Sequence, residues 1–309
     1  MKAVLKRNET VLALLFLVIF IGFSVTSKHF FKVGNIMNLF AQMVELGLLV
    51  LAMSASMISG GMDLSIGMLA SFGTVLLAVF ISTLGMTEWT AILFVLAISL
   101  ACGMLNGYLV GYLKITAMLV TLGTQSLFMG IGLVVSNGQT IAIKTGFELF
   151  GRYKIFGVVP FQIVIYMLAV SFSIILFNYT MTGRRIYMIG TNTEVARFAG
   201  ISLRRNLFGT YVFSAFMSFL AALVIASRVA SGRADVAGAK VLQAVCAAVF
   251  GGVSTMGGVG TVGGAVLGVA IITLISNGMD MLNISQFIQQ IVTGAMLLVV
   301  LALRRVRAK

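Results

Sequence analysis

Two carboxylates interrupt long apolar stretches of this sequence and are its first candidates for chemistry. Glu45 and Asp63 each lie inside a run that is otherwise neutral. An ionisable group at membrane depth usually marks a functional site, although pairing within a helix bundle or a position near an interface also explains one. For Glu45 both interpretations stay open. A functional role is favoured for Asp63, because in SGGMDLSIG the residues Gly60 and Gly61 break one helix and the following residues start another.

Residue types that perform catalysis or bind metals are scarce elsewhere. The sequence has one histidine, His29, and two cysteines, Cys102 and Cys246, which both lie inside apolar runs. We therefore expect no catalytic residues, no metal site and no cofactor, and we interpret the cysteines as small hydrophobic residues. The sequence contains no GxxxxGK[ST] phosphate loop. If ATP drives this protein, another subunit has to bind it.

The elements that position these residues are predicted to be membrane-spanning helices. The chain has 309 residues, of which 60% are hydrophobic and 9% charged, and its mean hydropathy is +1.11. A soluble domain carries about 25% charged residues, whereas a transmembrane helix needs about 20 apolar ones in succession. The apolar runs are continuous rather than alternating, which excludes a barrel. We predict an all-α, polytopic helical bundle of about ten transmembrane helices, some broken or re-entrant, that forms a single domain over 1–309.

The gaps between charged residues set the predicted boundaries and topology. An even number of crossings puts both termini on one side, and placing them in the cytoplasm puts 13 of the 21 basic residues there. The segment 137–159 is then a periplasmic loop and 181–206 a cytoplasmic loop. The basic amino terminus is expected to precede a retained first span rather than a cleaved signal. The predicted spans are 11–26, 36–59, 64–84, 90–111, 116–136, 160–180, 207–227, 241–254, 262–278 and 286–303.

The net charge of +13 is explained by this topology and by anionic lipid headgroups. A nucleic-acid partner is not expected, because it would need a basic face on a soluble domain.

The cytoplasmic loop 181–206 is predicted to contain a short amphipathic helix. Thr193 is a candidate amino-terminal cap, Glu194 suits the first turn and Gly200 suits the end. Further along, the glycine-rich segment 251–264 contains a formal GxGxxG pattern. That pattern indicates dinucleotide binding only within a βαβ unit, so close helix packing or a re-entrant turn is expected instead.

Five segments follow one another over almost the whole chain: SGGMDLSIGMLASFG, GMLNGYLVGYLKI, VTLGTQSLFMGIGLVVSNGQTI, IGTNTEVARFAGISLRRN and AAVFGGVSTMGGVGTVGGAVLGV. In this order they resemble the permease subunits of bacterial ribose-type sugar ABC importers. The resemblance implies a pair of permeases, identical or homologous, in the inner membrane, two cytoplasmic ATPase subunits and a periplasmic sugar-binding protein. Transport would proceed by alternating access, without covalent chemistry in the permease.

The resemblance also suggests roles for individual residues. Residues Glu194, Ala196 and Gly200 match the EAAxxxG pattern of the coupling helix that rests against the ATPase in such importers. Arg197 is expected to contact the ATPase at the rim of that helix. The predicted pathway residues are Asp63, from the helix break, and Ser65, Asn106, Gln125 and Asn137, chosen by motif position and polarity. For each of these four, an interhelical hydrogen bond is the alternative.

The sequence also departs from the family. Lys240 and Gln243 stand where acidic residues are common, and Thr116 and Ala117 replace a usual pair of prolines. These departures suit one half of a heterodimer and leave the sugar open. The solute alternatives are a nucleoside or a signalling sugar.

A different class of protein stays open as well. Ten helices with buried acids also suit an ion-coupled secondary transporter, in which Asp63 and Glu45 would be the coupling carboxylates. The coupling-helix pattern argues against that class, because an ion-driven carrier has no ATPase to dock. A structural membrane scaffold is the third possibility.

Overall fold

The computed structural model describes residues 10, 12–14, 16–18, 20–22, 24, 30–143, 147, 149–151, 153–155, 157 and 159–307, and at 286, 300, 301 and 303–307 it describes the backbone alone. His29 lies outside the described residues.

The described chain is almost entirely helical. Two of its helices continue into five-residue π-helical ends, at Val79–Thr83 and Ile175–Tyr179. The helices are α1 (Val33–Ile58), α2 (Ile66–Ala78), α3 (Glu88–Gly111), α4 (Ala117–Ser136), α5 (Gln162–Ile174), α6 (Met181–Thr191), α7 (Thr193–Phe198), α8 (Leu203–Val229), α9 (Lys240–Phe250), α10 (Val262–Met281) and α11 (Gln286–Arg307).

Seven helices among the described residues are long and apolar enough to cross a membrane. They are α1, α2 with its π end, α3, α4, α5 with its π end, α8 and α10, and each coincides with a predicted span. The all-α bundle is therefore confirmed. Shorter apolar helices correspond to the three remaining predicted spans, at Leu12–Gly22, Lys240–Phe250 and Phe287–Val299. The count of ten crossings stays a prediction.

The predicted span 241–254 is shorter in the structure than expected. Its helix, α9, has 11 residues and ends at Phe250. At 1.5 Å per residue α9 is about 16 Å long, roughly half of the hydrocarbon thickness of a bilayer. The glycine-rich segment that follows is a turn, and α10 begins at Val262. The amide of Gly258 in this turn donates to Ile58 at the end of α1, whereas Lys240 at the start of α9 bonds to Glu45 in the middle of α1. Helix α9 therefore begins partway along the bundle.

Short strands occur only in loops of the described chain. Strand β1 (Ile141–Ala142) pairs antiparallel with β4 (Ser231–Gly232), and β2 (Lys154–Ile155) pairs antiparallel with β3 (Val159–Pro160). The first pair attaches the 137–159 loop to the segment that follows α8.

Helix α8 is the centre of the bundle and packs against α1, α2 and α3. On α3, glycines at every fourth position face it. A Cβ on Gly107 would lie 2.9 Å from the carbonyl oxygen of Phe208, and one on Gly111 would lie 2.8 Å from that of Arg204. Backbones approach this closely only where side chains are absent, as in small-xxx-small packing of membrane helices.

Candidate functional site

The predicted helix break at Gly60 is confirmed, and it joins two spans rather than interrupting one. Helix α1 ends at Ile58, Gly60 adopts a φ of +90°, and α2 begins at Ile66. Both helices are long enough to cross a membrane. The backbone at the break satisfies itself, because the amide of Gly60 donates to Met57 and that of Gly61 to Ser56.

Asp63 is buried at this break and organises the start of α2. Its Oδ1 accepts hydrogen bonds from the amide of Ser65 at 3.1 Å and from the hydroxyl of Ser65 at 2.6 Å. The amides of Gly60 and Gly61 bond to α1 and not to the carboxylate of Asp63. The carboxylate instead forms an Asx-type turn that begins the next helix.

Asn106 on α3 bonds to the same group of residues. We call Asp63, Ser65 and Asn106 together the Asp63 cluster. The Nδ2 of Asn106 donates to Oγ of Ser65 at 3.0 Å, so three of the five predicted pathway residues form one hydrogen-bonded chain. Burial raises the pKa of the Asp63 carboxyl to about 6, although the hydrogen bonds from Ser65 act in the opposite direction. The carboxylate is mostly ionised at neutral pH.

The Asp63 cluster has unused hydrogen-bonding capacity. The Oδ1 of Asn106 and the hydroxyl of Tyr211 are buried and have no hydrogen-bond partner among the described residues. Tyr211 lies beside the break, where its hydroxyl would be 3.0 Å from a Cβ on Gly61. A buried polar atom without a partner is costly, and a passing solute with hydroxyl groups would satisfy it.

The other two predicted pathway residues lie on α4, away from this chain. Thr121 of α4 donates to the carbonyl oxygen of Met62 at 3.1 Å, and Gln125 is half-buried one turn further on. Asn137 is exposed at the far end of the same helix, where it adopts a φ of +50° and ends the helix. Its observed role is therefore conformational.

The predicted coupling segment contains two helices, α6 and α7, rather than one. Asn192 separates them, and its side chain accepts hydrogen bonds from the amides of Glu194 and Val195. The cap of α7 is therefore Asn192 and not Thr193 as the sequence suggested. The predicted end is correct: Gly200 has a φ of +75°, and its amide donates to Arg197.

Helix α7 presents an apolar face to its surroundings. Val195 is 63% exposed and Phe198 is 87% exposed, whereas Ala196 is buried against the rest of the chain. Glu194 and Arg197 are exposed beside the apolar pair. Such a face on a six-residue helix needs a partner, which is either lipid or another protein.

Helix α6 packs directly against the break after α1 and against the turn between α9 and α10. A Cβ on Gly190 would overlap the carbonyl oxygen of Ile58 and would lie 2.5 Å from the amide nitrogen of Gly258. That amide itself donates to Ile58 at 2.9 Å, and the hydroxyl of Tyr187 donates to Gly260 at 2.9 Å. The segment before α7 thus touches the end of α1 and the turn between α9 and α10. Sequence reasoning did not identify Gly190, although it lies next to the matched coupling motif.

Glu45 belongs to a buried ionic cluster that sequence reasoning also missed. Its Oε1 accepts from Nε of Arg228 and its Oε2 accepts from Nζ of Lys240 at 2.6 Å. Of the two interpretations left open for Glu45, the structure supports pairing within the bundle. Lys240 stands where acidic residues are common in the resembling family, and this departure has a structural reason, because the lysine is a partner of Glu45.

The described part of the chain contains no cluster of metal-binding side chains. No three His, Cys, Asp or Glu side chains are grouped there in a way that would hold a metal ion. Cys102 and Cys246 are both free thiols, half-buried and buried respectively.

Comparison with known proteins assigns the fold to a family. Residues 35–301 match the family described as the permease component of the branched-chain amino acid transport system. The chain belongs to this permease family. The permease is 32% identical over 305 residues to the ribose import permease protein RbsC of Bacillus subtilis (strain 168), covering 98% of this chain and 94% of that protein.

Other relatives agree with this assignment. The permease is 27% identical over 307 residues to the autoinducer 2 import system permease protein LsrD of Salmonella paratyphi A, covering 96% of this chain and 91% of that protein. A solved metal-chelate type ABC transporter in an inward-facing conformation shares the fold, with a TM-score of 0.54, 15% identity, and coverage of 94% of this chain and 96% of that one.

These findings confirm the resemblance to the permeases of ribose-type sugar ABC importers. The permease is a multi-pass inner-membrane protein and a non-catalytic transport component of an ABC importer.

Proposed function

We propose that the permease carries a monosaccharide of the ribose type across the inner membrane by alternating access, driven by ATPase subunits that dock on α7. The similarity to RbsC over 98% of the chain supports this solute. The partners are two ATPase subunits, a second permease that is identical or homologous, and a periplasmic sugar-binding protein.

The observation that carries the proposal is the geometry of α6 and α7. The exposed face with Val195 and Phe198 provides a small apolar contact for an ATPase groove. Gly190, two residues before the cap of α7, touches the end of α1 and the turn between α9 and α10. A displacement of α7 by ATPase closure would therefore reach the Asp63 cluster through Ile58 and Gly60.

The orientation follows from the same assignment. If α7 meets a cytoplasmic ATPase, both termini lie in the cytoplasm and the 137–159 loop lies in the periplasm, as the distribution of basic residues also suggests. The predicted pathway then runs past Asp63, Ser65 and Asn106, whose neighbouring unsatisfied oxygens suit transient bonds to sugar hydroxyls. Gln125 is proposed to face the same path from α4.

The alternatives to this function are a different solute and an ion-coupled carrier. Autoinducer 2 is the second candidate solute, because the similarity to LsrD extends over 96% of the chain. An ion-coupled carrier with Glu45 as a coupling carboxylate loses support, because Glu45 is held by two cations.

The test compares Glu194→Lys with Glu88→Lys. Both glutamates lie in the first turn of a helix, so both substitutions remove the same favourable interaction with the helix dipole. We expect Glu194→Lys to reduce co-purification of the ATPase and ATP-dependent uptake of labelled ribose, and Glu88→Lys to leave both unchanged. Equal ATPase recovery and equal uptake in the two variants would contradict docking on α7.

A further inference from the structure

A polar cavity of about 330 Å³ opens where α1, α9, α10 and α11 meet. Its volume lies near the lower end of the range for small-molecule sites, about 300–1,000 Å³. Eight of its twelve lining residues are polar or charged, which is unusual in a chain that is 60% hydrophobic. The polar residues are Gln42, Arg228, Lys240, Gln243, Thr273, Ser276, Asp280 and Gln289.

The cavity lies in the half of the bundle away from α7. Gln42 lines it from the first half of α1, whereas Ile58 at the end of α1 touches α6. Sixteen residues of α-helix separate them by about 24 Å. If α7 meets a cytoplasmic ATPase, the cavity therefore opens on the periplasmic side, where a binding protein would deliver its solute.

The charged groups at the cavity are already balanced. Lys240 and Arg228 share the carboxylate of Glu45, which is 1% exposed. Asp280 on the opposite wall accepts a hydrogen bond from Nε2 of Gln289 at 2.6 Å. Two cations thus face two carboxylates, so a charged ligand would leave an unpaired charge in a partly desolvated site.

One buried polar atom at the cavity has no partner. The Oγ1 of Thr273 is buried, and the described residues offer it no hydrogen bond. Thr273 lines the cavity together with Ser276, one turn further along α10. A buried hydroxyl without a partner costs free energy. Because this oxygen has almost no accessible surface, a ligand in the cavity reaches it only when the side chain rotates, and the bond formed then recovers that cost.

We infer that this cavity binds a neutral, polyhydroxylated solute of monosaccharide size before the solute enters the transport path. The side chains of Gln42 and Gln243 and the two hydroxyls both donate and accept hydrogen bonds, and the hydroxyl groups of a sugar need both kinds of partner. Gln289 adds only an acceptor, because its Nε2 already donates to Asp280 and Ile284. The inference rests on the proposed function for its placement in transport. The site itself is formed by a single chain and needs no ATP.

The experiment measures solute binding to the full-length permease in lipid nanodiscs without the ATPase. The probes are labelled D-ribose, D-galactose and ribose 5-phosphate. Thr273→Val removes the unpartnered hydroxyl and keeps the side-chain shape, and we expect it to weaken binding of the neutral sugars by about tenfold. The matched control is Thr210→Val. The Thr210 hydroxyl is equally buried but bonds to Asn206 within its own helix, so sugar binding should not change.

A second measurement, protection of a cysteine from alkylation, detects sugar binding that is too weak for the direct assay. Gln243→Cys is made in a chain whose two native cysteines are replaced by alanine, and its alkylation by an impermeant thiol reagent is followed with and without sugar. A neutral sugar in the cavity should slow labelling at this position. The sugar should leave labelling of Met256→Cys unchanged, because Met256 is exposed in the turn between α9 and α10, away from the cavity.

The site is refuted if neither neutral sugar binds or protects, if Thr273→Val binds as tightly as Thr210→Val, or if the sugar phosphate binds more tightly than both neutral sugars. The proposed function fails separately. Sugar binding without ATP-dependent uptake in the complete complex would preserve the cavity site and reject the importer function. ATP-dependent uptake without sugar binding in this cavity would preserve the importer function and reject the cavity site.

Discussion

The ionic cluster around Glu45 leads to a prediction whose size follows from side-chain exposure. Glu45 is 1% exposed, whereas the side chains of Lys240 and Arg228 are 25% and 33% exposed. The two cations reach water with their ends, but the carboxylate cannot. Removing the carboxylate therefore lets the cations rehydrate in part, while removing both cations leaves a buried, unpaired charge.

Three variants rank these costs. Lys240→Met keeps the Arg228 contact and is expected to cost about 1.5–3 kcal/mol, the value of one hydrogen bond to a charged group. Glu45→Gln is expected to cost about 3 kcal/mol, at the lower end of the cost of breaking a buried pair. Lys240→Met combined with Arg228→Met should cost the most, because it isolates the buried carboxylate.

The free energies of unfolding are compared by titrating the detergent-solubilised permease with dodecyl sulfate and following its helical circular dichroism. Adding Glu45→Gln to the variant that lacks both cations should restore stability, since it neutralises the isolated carboxylate. The reasoning is refuted if Glu45→Gln changes stability by less than about 0.5 kcal/mol, which is typical of a surface site. It also fails if the loss of both cations costs no more than the loss of Lys240 alone.

Three further predictions concern single positions. Ala230→Gly should stabilise the chain by about 1 kcal/mol in the same titration, because Ala230 ends α8 with a φ of +54°, which disfavours any side chain. Asp63→Ala should impair uptake at unchanged abundance. Asp63→Asn should keep the Ser65 bond and gain stability over the unmodified chain as pH rises from about 4 to about 6, because burial raises the pKa of the Asp63 carboxyl and the unfolded chain therefore loses its proton first in this range. Gly190→Ala should cost about 1–3 kcal/mol through overlap with Ile58 and should lower uptake per molecule, and normal uptake at normal abundance would contradict the contact between α6 and the helix breaks.

The spans were predictable because charged residues border them. The span predicted at 90–111 is observed as Glu88–Gly111, between Glu88 and Lys114. Charged residues gave no such border between Lys240 and Asp280, because none lies in the turn that separates α9 from α10. Glycines indicated a turn there, but the length of α9 depends on packing against α10 and α11, which no local pattern records.

The sites were predictable only where their residues are close in sequence. Asp63 and Ser65 were found because they share one motif with the helix-breaking glycines. Glu45 is separated from Arg228 by 183 residues and from Lys240 by 195, so only the fold brings them together. The cap of α7 was misplaced by one residue, since Asn192 and Thr193 are both good caps and the backbone conformation selects between them.

The contact between α6 and the two helix breaks has a mechanical consequence. Gly190 meets the backbone of Ile58 and of Gly258 with no side chain between them. Where side chains interlock, one element can move past another only in discrete steps, because each rotamer has to leave its socket. At Gly190 the backbones meet directly, so no rotamer at that position has to change when α6 shifts, and the hydrogen bond from the hydroxyl of Tyr187 to Gly260 is a side-chain contact that such a shift would strain. If an ATPase docks on α7 as proposed, this contact would transmit its displacement to the end of α1 and to the turn between α9 and α10 at the same time.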